Sequence, residues 1–154
     1  MVIIEDTRNK VGKHDLKNEW FGANGIKVVR SKLPFGDYAL MPKVAVDTKQ
    51  GLDEVAMNLC GSSHNRFKEE CIGARDSGCK LYILVENTYG IKSIGDVASW
   101  INPRVIYSEK CVQGVQLMKA MVTMQERYGI EFIFCNPNDT ASKIVELLRG
   151  DSSG

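Results

Sequence analysis

The sequence has no long apolar run and almost no net charge. No stretch approaches the roughly 20 apolar residues that a bilayer span needs. The opening Val2-Ile3-Ile4-Glu5-Asp6 lacks the basic segment and long apolar stretch of a secretory signal. With 20 Lys and Arg against 19 Asp and Glu, the net charge is +1, which excludes a polycationic nucleic-acid-binding arm. We therefore expect a soluble chain that is not secreted and whose positive charge is at most local.

Paired cysteines are also lacking. The five cysteines are odd in number and include no C-x-x-C pair, so neither a disulfide framework nor a zinc ribbon is indicated. This predicts a reducing location, cytoplasmic or nucleoid-associated. The alternative is a zinc site built from Cys60, His64, Cys71 and Cys79. The helical spacing of Phe67, Cys71 and Ala74 favours a buried stripe instead.

Internal repeats and low-complexity linkers are absent, so residues 1–149 are expected to form one domain, followed by a flexible polar tail at 150–154. Apolar runs predict strands at 2–5, 26–30, 80–86 and 130–135, with 80–86 central. Helical periodicity predicts helices at 13–24, 52–60, 64–77, 94–101, 112–128 and 140–148. Strands interleaved with helices indicate an α/β fold with a mixed central sheet flanked by helices.

Two short runs, 37–41 and 44–49, are separated by Pro42-Lys43 and predict a β-hairpin. Strand alternation then puts the apolar residues on the core face, namely Tyr38, Leu40, Val44 and Val46. The opposite face carries Asp37, Asp47 and Lys49, provided that the turn has three residues or a bulge. The hairpin thus predicts two carboxylates and an ammonium side by side.

Such a group has the composition of a metal-dependent phosphodiesterase site. Carboxylate oxygens are the ligands that Mg²⁺ prefers. A lysine beside them can orient a water molecule or stabilise charge on a phosphoryl group. An acidic-x-Lys triplet alone is weak, because Asp15-Leu16-Lys17 also matches. That second copy lies in a polar helical stretch and is interpreted as solvated surface.

Together these segments resemble the XPF/Mus-type structure-specific endonucleases. That family's motif is Gly-Asp, a spacer, Glu-Arg-Lys, three residues and Asp. The corresponding segments here are Gly36-Asp37, Asp47-Thr48-Lys49 and Asp53. Further matches are Asp6-Thr7-Arg8 after the first strand, the approach Leu33-Pro34-Phe35 and the pair Arg66-Phe67. The resemblance covers nearly the whole chain.

The resemblance implies a restriction-endonuclease-like α/β fold and metal-dependent endonuclease activity on branched or structured DNA, in repair or recombination. It assigns Mg²⁺ or Mn²⁺ to Asp37, Asp47 and the Thr48 carbonyl. Lys49 would act on the water or the developing charge, and Asp6 would assist. The expected DNA contacts are Arg8, Arg66 and Lys68.

Two departures from the family pattern leave alternatives open. Asp47-Thr48 replaces Glu-Arg, which is compatible with a catalytically impaired nuclease fold that binds DNA or supports an active subunit. No helix-hairpin-helix module follows residue 149, so we expect a homodimer or a larger DNA-processing partner to add contacts. The apolar helix 112–128 is the expected dimer surface. An RNA-directed nuclease is a third possibility.

Overall fold

The structure is a computed structural model that describes residues 1–33, 36–40 and 42–150. The chain divides into two compact units, Met1–Lys43 and the residues from Val44 onward. Both combine strands with helices, so the α/β prediction is confirmed. The strands form two three-stranded sheets, where one central sheet was expected. No helix in these ranges is both long enough and apolar enough to cross a membrane.

In the first unit, β1 (Val2–Asp6) is the middle strand. It pairs in parallel with β2 (Lys27–Ser31) and antiparallel with β3 (Tyr38–Leu40). Helix α1 (Asp15–Ala23) connects β1 to β2 and ends at Asn24. Gly25 follows with φ 73°, a left-handed conformation that glycine adopts without strain.

The second unit contains a wholly parallel sheet in the order β4-β5-β6: β4 (Val44–Lys49), β5 (Lys80–Glu86) and β6 (Glu131–Cys135). Parallel neighbours need crossover connections. Helices α2 (Leu52–Cys60) and α3 (His64–Asp76) connect β4 to β5. Helices α4 (Ile94–Val97) and α5 (Gly114–Tyr128) connect β5 to β6, and α6 (Thr140–Arg149) follows. The prediction that β5 is central is confirmed.

The core of the second unit forms where α2, α3 and α5 cover one face of the sheet. Its fully buried members include Leu52, Val55, Ile83, Val85, Leu117 and Met121. Burying each such side chain stabilises the fold by about 1.5–3 kcal/mol. Phe67 and Cys71 belong to the same core, which confirms the stripe predicted for α3.

Close backbone packing explains one glycine in this core. A Cβ at Gly114 would lie 2.5 Å from the Val97 carbonyl oxygen and 2.6 Å from that of Trp100. Any larger residue would therefore push the first turn of α5 away from the segment at α4. Helix α4 is itself shorter than the predicted 94–101 helix, and a 3₁₀ turn, Pro103–Ile106, follows it. Pro103 disfavours helical conformation at the residue before it.

The predicted hairpin is wrong. Within the described residues, β3 pairs with β1 in one sheet and β4 pairs with β5 in the other. Pairing with the apolar strand β5 places β4 in a three-stranded sheet, which is more stable than an isolated two-stranded hairpin. Met41 of the predicted first strand lies outside the described residues, as do Pro34 and Phe35 of the family-like approach to Asp37.

Candidate active site

The carboxyl end of β4 carries an ion pair against the core. Lys49 Nζ lies 3.0 Å from Asp47 Oδ2. The same ammonium lies 5.2 Å from the ring centroid of Phe67 on α3, within cation–π range. Lys49 is only 8% exposed. Its charge is thus held by one carboxylate and one aromatic face rather than by bulk water.

The predicted hairpin placed Asp47 and Lys49 on a polar face away from the core. In the structure this ion pair does not lie on an open polar face. Asp47 and Lys49 lie two and four residues after Ala45, on the same face of the strand, and Ala45 packs against the main core. They therefore share the face of β4 that α3 approaches. The Phe67 ring of α3 lies against this face, with its centroid 5.2 Å from the Lys49 ammonium.

Helix α3 brings a second carboxyl group to the ion pair. Glu70 hydrogen-bonds the Asp47 side chain. Burial raises the pKa of Glu70 to about 7, assisted by the Asp47 charge and by that hydrogen bond, while Lys49 and Arg66 act in the opposite direction. At neutral pH the Glu70 carboxyl group is therefore protonated for part of the time.

These side chains border a small polar cavity of about 210 Å³ within the second unit. It is lined by Asp47, Lys49, Asn58, Ser63, Arg66, Phe67 and Glu70. Two of these residues are acidic and two are basic, so the lining is close to neutral when both carboxyls are ionised. The volume is sufficient for several water molecules, or for a hydrated cation next to a phosphate oxygen, at about 30 Å³ per water.

Asn58 contributes an unpaired acceptor to this cavity. Its Nδ2 donates to Ser63 Oγ at 2.8 Å, and Ser63 Oγ donates to the Met57 carbonyl oxygen at 3.0 Å. Because the serine hydroxyl has already given its hydrogen to Met57, only the amide NH₂ of Asn58 can face it. Asn58 Oδ1 is therefore the free atom, and it is buried without a hydrogen-bond partner.

The other predicted acidic residue at a strand end, Asp6, has a different environment. Arg8 Nε donates to Asp6 Oδ2 at 2.6 Å. The backbone amides of Leu33 and Arg8 donate to Oδ1 at 3.2 and 3.3 Å. Burial acts to raise the pKa of Asp6, but the hydrogen bonds from Leu33 and Arg8, with the Arg8 charge, outweigh it and leave the pKa lowered.

The remaining predicted residues are mostly on the surface. Asp37 is exposed, and its carbonyl oxygen accepts from the Asp6 amide at 2.9 Å. Arg66 is exposed but lines the cavity, whereas Lys68 is exposed and does not. Thr48 points to the opposite face of β4 from the ion pair and is exposed.

Two further residues of the sequence hypotheses belong to other surroundings. Asp53, the last residue of the family motif, is in the first turn of α2 and borders a separate cavity of about 250 Å³. Arg8 also donates to the Leu33 carbonyl oxygen at 2.8 Å, so much of its hydrogen-bonding capacity is used inside the first unit.

Residues 5–147 of the chain match the family model of the ERCC4 domain. The chain belongs to the ERCC4-domain family. This is a family of DNA endonucleases, which generally depend on divalent metal ions. The match includes the strand-end acidic residues of both units and the whole of the cavity described above.

Solved structures similar to this ERCC4-domain chain include XPF from Aeropyrum pernix in complex with DNA and XPF from Aeropyrum pernix. Each is 22% identical, with a TM-score of 0.49, and the similarity covers 99% of this chain. The chain spans 65% of the length of those XPF chains. No curated protein sequence matches it.

Metal-binding chemistry in this ERCC4 domain is best supplied by oxygen ligands. Across the described ranges, no group of three or more His, Cys, Asp or Glu is placed to hold a metal ion. Cys71, from the alternative zinc set, is fully buried in the core. Two carboxyl groups and the unpaired Asn58 oxygen instead fit a hard cation, because Mg²⁺ usually takes one or two carboxylates and keeps several waters.

Glu70 and Asn58 were missed in the sequence. Glu70 stands in the charged run Lys68-Glu69-Glu70, which is typical of a solvated helix face. Its spacing could have indicated a position near the core. Glu70 lies three residues after Phe67 and directly before Cys71, at the margin of the buried stripe. Asn58 lies between Met57 and Leu59 on α2, and no sequence pattern marks it.

Proposed function

We propose that this ERCC4 domain is a divalent-metal-dependent DNA endonuclease. Its substrate is branched or structured DNA in repair or recombination, in which it hydrolyses phosphodiester bonds. The observation that carries the proposal is the Asp47–Lys49 ion pair beside the 210 Å³ polar cavity. The buried ammonium and the neighbouring carboxyl groups are the chemical groups that metal-assisted phosphodiester hydrolysis requires. The family match supports the reaction class.

Mg²⁺ or Mn²⁺ is the proposed cofactor. Asp47 and the Thr48 carbonyl would hold it, and the family motif adds Asp37. When bound, the ion would polarise a phosphoryl oxygen and lower the pKa of a coordinated water. The unpaired Asn58 oxygen supports a hydrated cation in the cavity, because it needs a hydrogen-bond donor there.

Lys49 is proposed to stabilise the negative charge that develops on the phosphoryl oxygens, or to orient the attacking water. Its position supports this role, because Asp47 and the Phe67 ring fix the ammonium in a place with little solvent. A preorganised charge of this kind costs little reorganisation during the reaction. Arg66, at the cavity margin, is proposed to contact a DNA phosphate.

Three further residues keep assignments that rest on the family motif. Asp6 is proposed to assist catalysis, although its observed contacts are structural. Arg8 and Lys68 are proposed as phosphate contacts. Each assignment is tested by a single substitution, Asp6→Ala, Arg8→Gln or Lys68→Gln, followed by parallel measurement of DNA affinity and cleavage rate.

The experiment that tests the function uses purified protein with end-labelled flap, fork, nicked, four-way and linear DNAs and a matched RNA. We expect cleavage of at least one branched DNA with Mg²⁺ or Mn²⁺. Ca²⁺ should support binding only, because its looser coordination misplaces the water. Cleavage in EDTA would contradict the metal requirement. Binding of branched DNA without cleavage in any metal would identify an impaired scaffold module instead.

A homodimer or larger DNA-processing partner is proposed to add DNA contacts, since a net charge of +1 gives little long-range attraction to DNA. On α5, Leu117, Met121 and Met124 are used by the core. Val115 and Val122 remain 47% and 37% exposed and are one heptad apart. Light scattering should give about twice 17.2 kDa, and Val115→Glu with Val122→Glu should shift it towards monomer.

A cytoplasmic or nucleoid-associated location is also proposed. Its basis is the odd number of cysteines without a C-x-x-C pair, which is typical of proteins kept in a reducing compartment. Fractionation of cells that produce the full chain would test it.

A further inference from the structure

Glu70 is the one acidic side chain of the cavity that comes from a helix. Its position on α3 is set by packing: Phe67 and Cys71 are buried in the core, and Glu70, three residues after Phe67, is an exposed residue that flanks their stripe and lines the cavity. There it lines the same cavity as Asp47. Its neighbour Glu69 has no place in the cavity lining. The two adjacent glutamates are thus distinguished by the direction in which the helix presents them.

The cavity holds a second, independent indication of a ligand. Asn58 is 8% exposed, and its free Oδ1 lines a polar space without a hydrogen-bond partner. A buried acceptor without a hydrogen-bond donor destabilises the fold. A group that donates hydrogen bonds removes that destabilisation, and the water shell of a cation is such a group. An anion would not, because it also offers only acceptors.

On the basis of the proposed function, we propose that Glu70 is a further residue that binds the metal ion. Its carboxylate binds the divalent cation together with that of Asp47, and Asn58 Oδ1 accepts a hydrogen bond from a cation-bound water. The site is therefore bounded by α3 and α2 as well as by the end of β4.

Charge balance agrees with this assignment. Lys49 and Arg66 supply two positive charges at the cavity, and Asp47 with Glu70 supplies two negative charges when both are ionised. Without Glu70 the lining would be net positive before any cation entered, and a divalent ion would be repelled. Glu70 offsets Arg66, so that Arg66 can remain close to a phosphate while the cation binds.

The test is a titration of the metal-free full chain with Mn²⁺, followed by electron paramagnetic resonance of free Mn²⁺ at pH 8.0. Glu70→Gln, which preserves side-chain size, should raise the Mn²⁺ Kd about tenfold or more. Glu70→Asp, which keeps the charge, should recover part of the affinity. Glu69→Gln is the matched control and should stay within about twofold of wild type. Melting followed by circular dichroism confirms that each variant is folded.

The outcomes separate this inference from the proposed function. If Glu70→Gln binds Mn²⁺ like wild type while Asp47→Asn loses it, the inference is overturned and the site at Asp47 stands. If neither variant loses affinity, both assignments are overturned. If both variants lose Mn²⁺ affinity but the wild type cuts no DNA, the inference stands and the endonuclease proposal fails.

Discussion

The two units carry the same short pattern at the end of a strand, with different consequences. Asp6-Thr7-Arg8 follows β1 and Asp47-Thr48-Lys49 ends β4, and in each the cation pairs with the carboxylate. Asp6 accepts three hydrogen bonds and has a lowered pKa. Asp47 faces another carboxyl group whose pKa is raised. We call the Asp6 triplet the structural triplet, because three hydrogen bonds hold its carboxylate, and the Asp47 triplet the available triplet, because it borders the polar cavity.

The largest effect is expected from a substitution that disrupts the available triplet. Asp47→Asn removes the charge that would bind the cation but keeps side-chain size, so cleavage of branched DNA should fall by roughly 10³-fold or more. The matched control is Asp15→Asn, in the exposed triplet Asp15-Leu16-Lys17, which should cut at the wild-type rate. Cleavage by Asp47→Asn at a near-normal rate would place the reactive site elsewhere.

The next effect concerns the ammonium. Lys49→Met keeps most of the apolar stem over Phe67 but removes the charge, so cleavage should fall by roughly 10²–10³-fold. The variant should also melt at a lower temperature, because Asp47 loses its partner against the core. The double variant Asp47→Asn with Lys49→Met should be less destabilised than the sum of the two single variants. Simple additivity in thermal melts would show that the ion pair is not coupled.

A smaller effect tests the structural triplet. Asp6→Ala leaves the buried Leu33 amide without its acceptor and should lower the melting temperature by about 2–4 °C at pH 7. Because the folded pKa of Asp6 is lowered, its contribution is present above the ordinary value of 3.8 and is lost as pH falls through the folded pKa.

Urea unfolding between pH 2 and 7 measures this dependence. Wild type should lose part of its stability towards the acidic end, and Asp6→Ala should show a flatter profile over the same range. Identical profiles for the two proteins would contradict a structural role for the Asp6 carboxylate. Cleavage measured on the same samples at pH 7 separates that role from the proposed catalytic assistance.

The smallest effect is on a thiol beside the available triplet. Burial raises the pKa of Cys71 to about 12, and the nearby Glu70 and Asp47 charges act in the same direction. The native protein at pH 8 should therefore react with a thiol reagent at four cysteines or fewer, and at all five in denaturant. Stoichiometric zinc by elemental analysis would contradict this and support the Cys60, His64, Cys71, Cys79 site.

Local patterns predicted the parts of the fold whose own periodicity decides their structure. Strand β5 and helix α2 have the predicted bounds, because a continuous apolar run and a strong helical stripe are visible within one short window. The hairpin failed for the opposite reason. Its turn signal was local, but β4 pairs with a strand that begins 31 residues after its own last residue, and no local pattern records that pairing.

The candidate site was predictable in its strand residues and not in its helix residues. Asp47 and Lys49 stand in a family motif of fixed spacing, whereas Glu70 and Asn58 reach the cavity only because α2 and α3 pack on the same face of β4. The sequence alone does not show which of Glu69 and Glu70 reaches the cavity. The orientation of α3 against the sheet decides that it is Glu70. Tertiary packing therefore supplied the part of the site that the motif does not contain.

The parallel order β4-β5-β6 also determines how long β4 waits for its partner strands during protein synthesis. Residues 50–79 separate β4 from β5, and residues 87–130 separate β5 from β6. At about 5–20 residues per second, β4 emerges roughly 4–17 seconds before the sheet can be completed. During that interval β4 is a bare strand that could pair with another chain. Charged side chains at a strand end disfavour such pairing, and β4 ends in Asp47-Thr48-Lys49, which carries two of the residues proposed for catalysis.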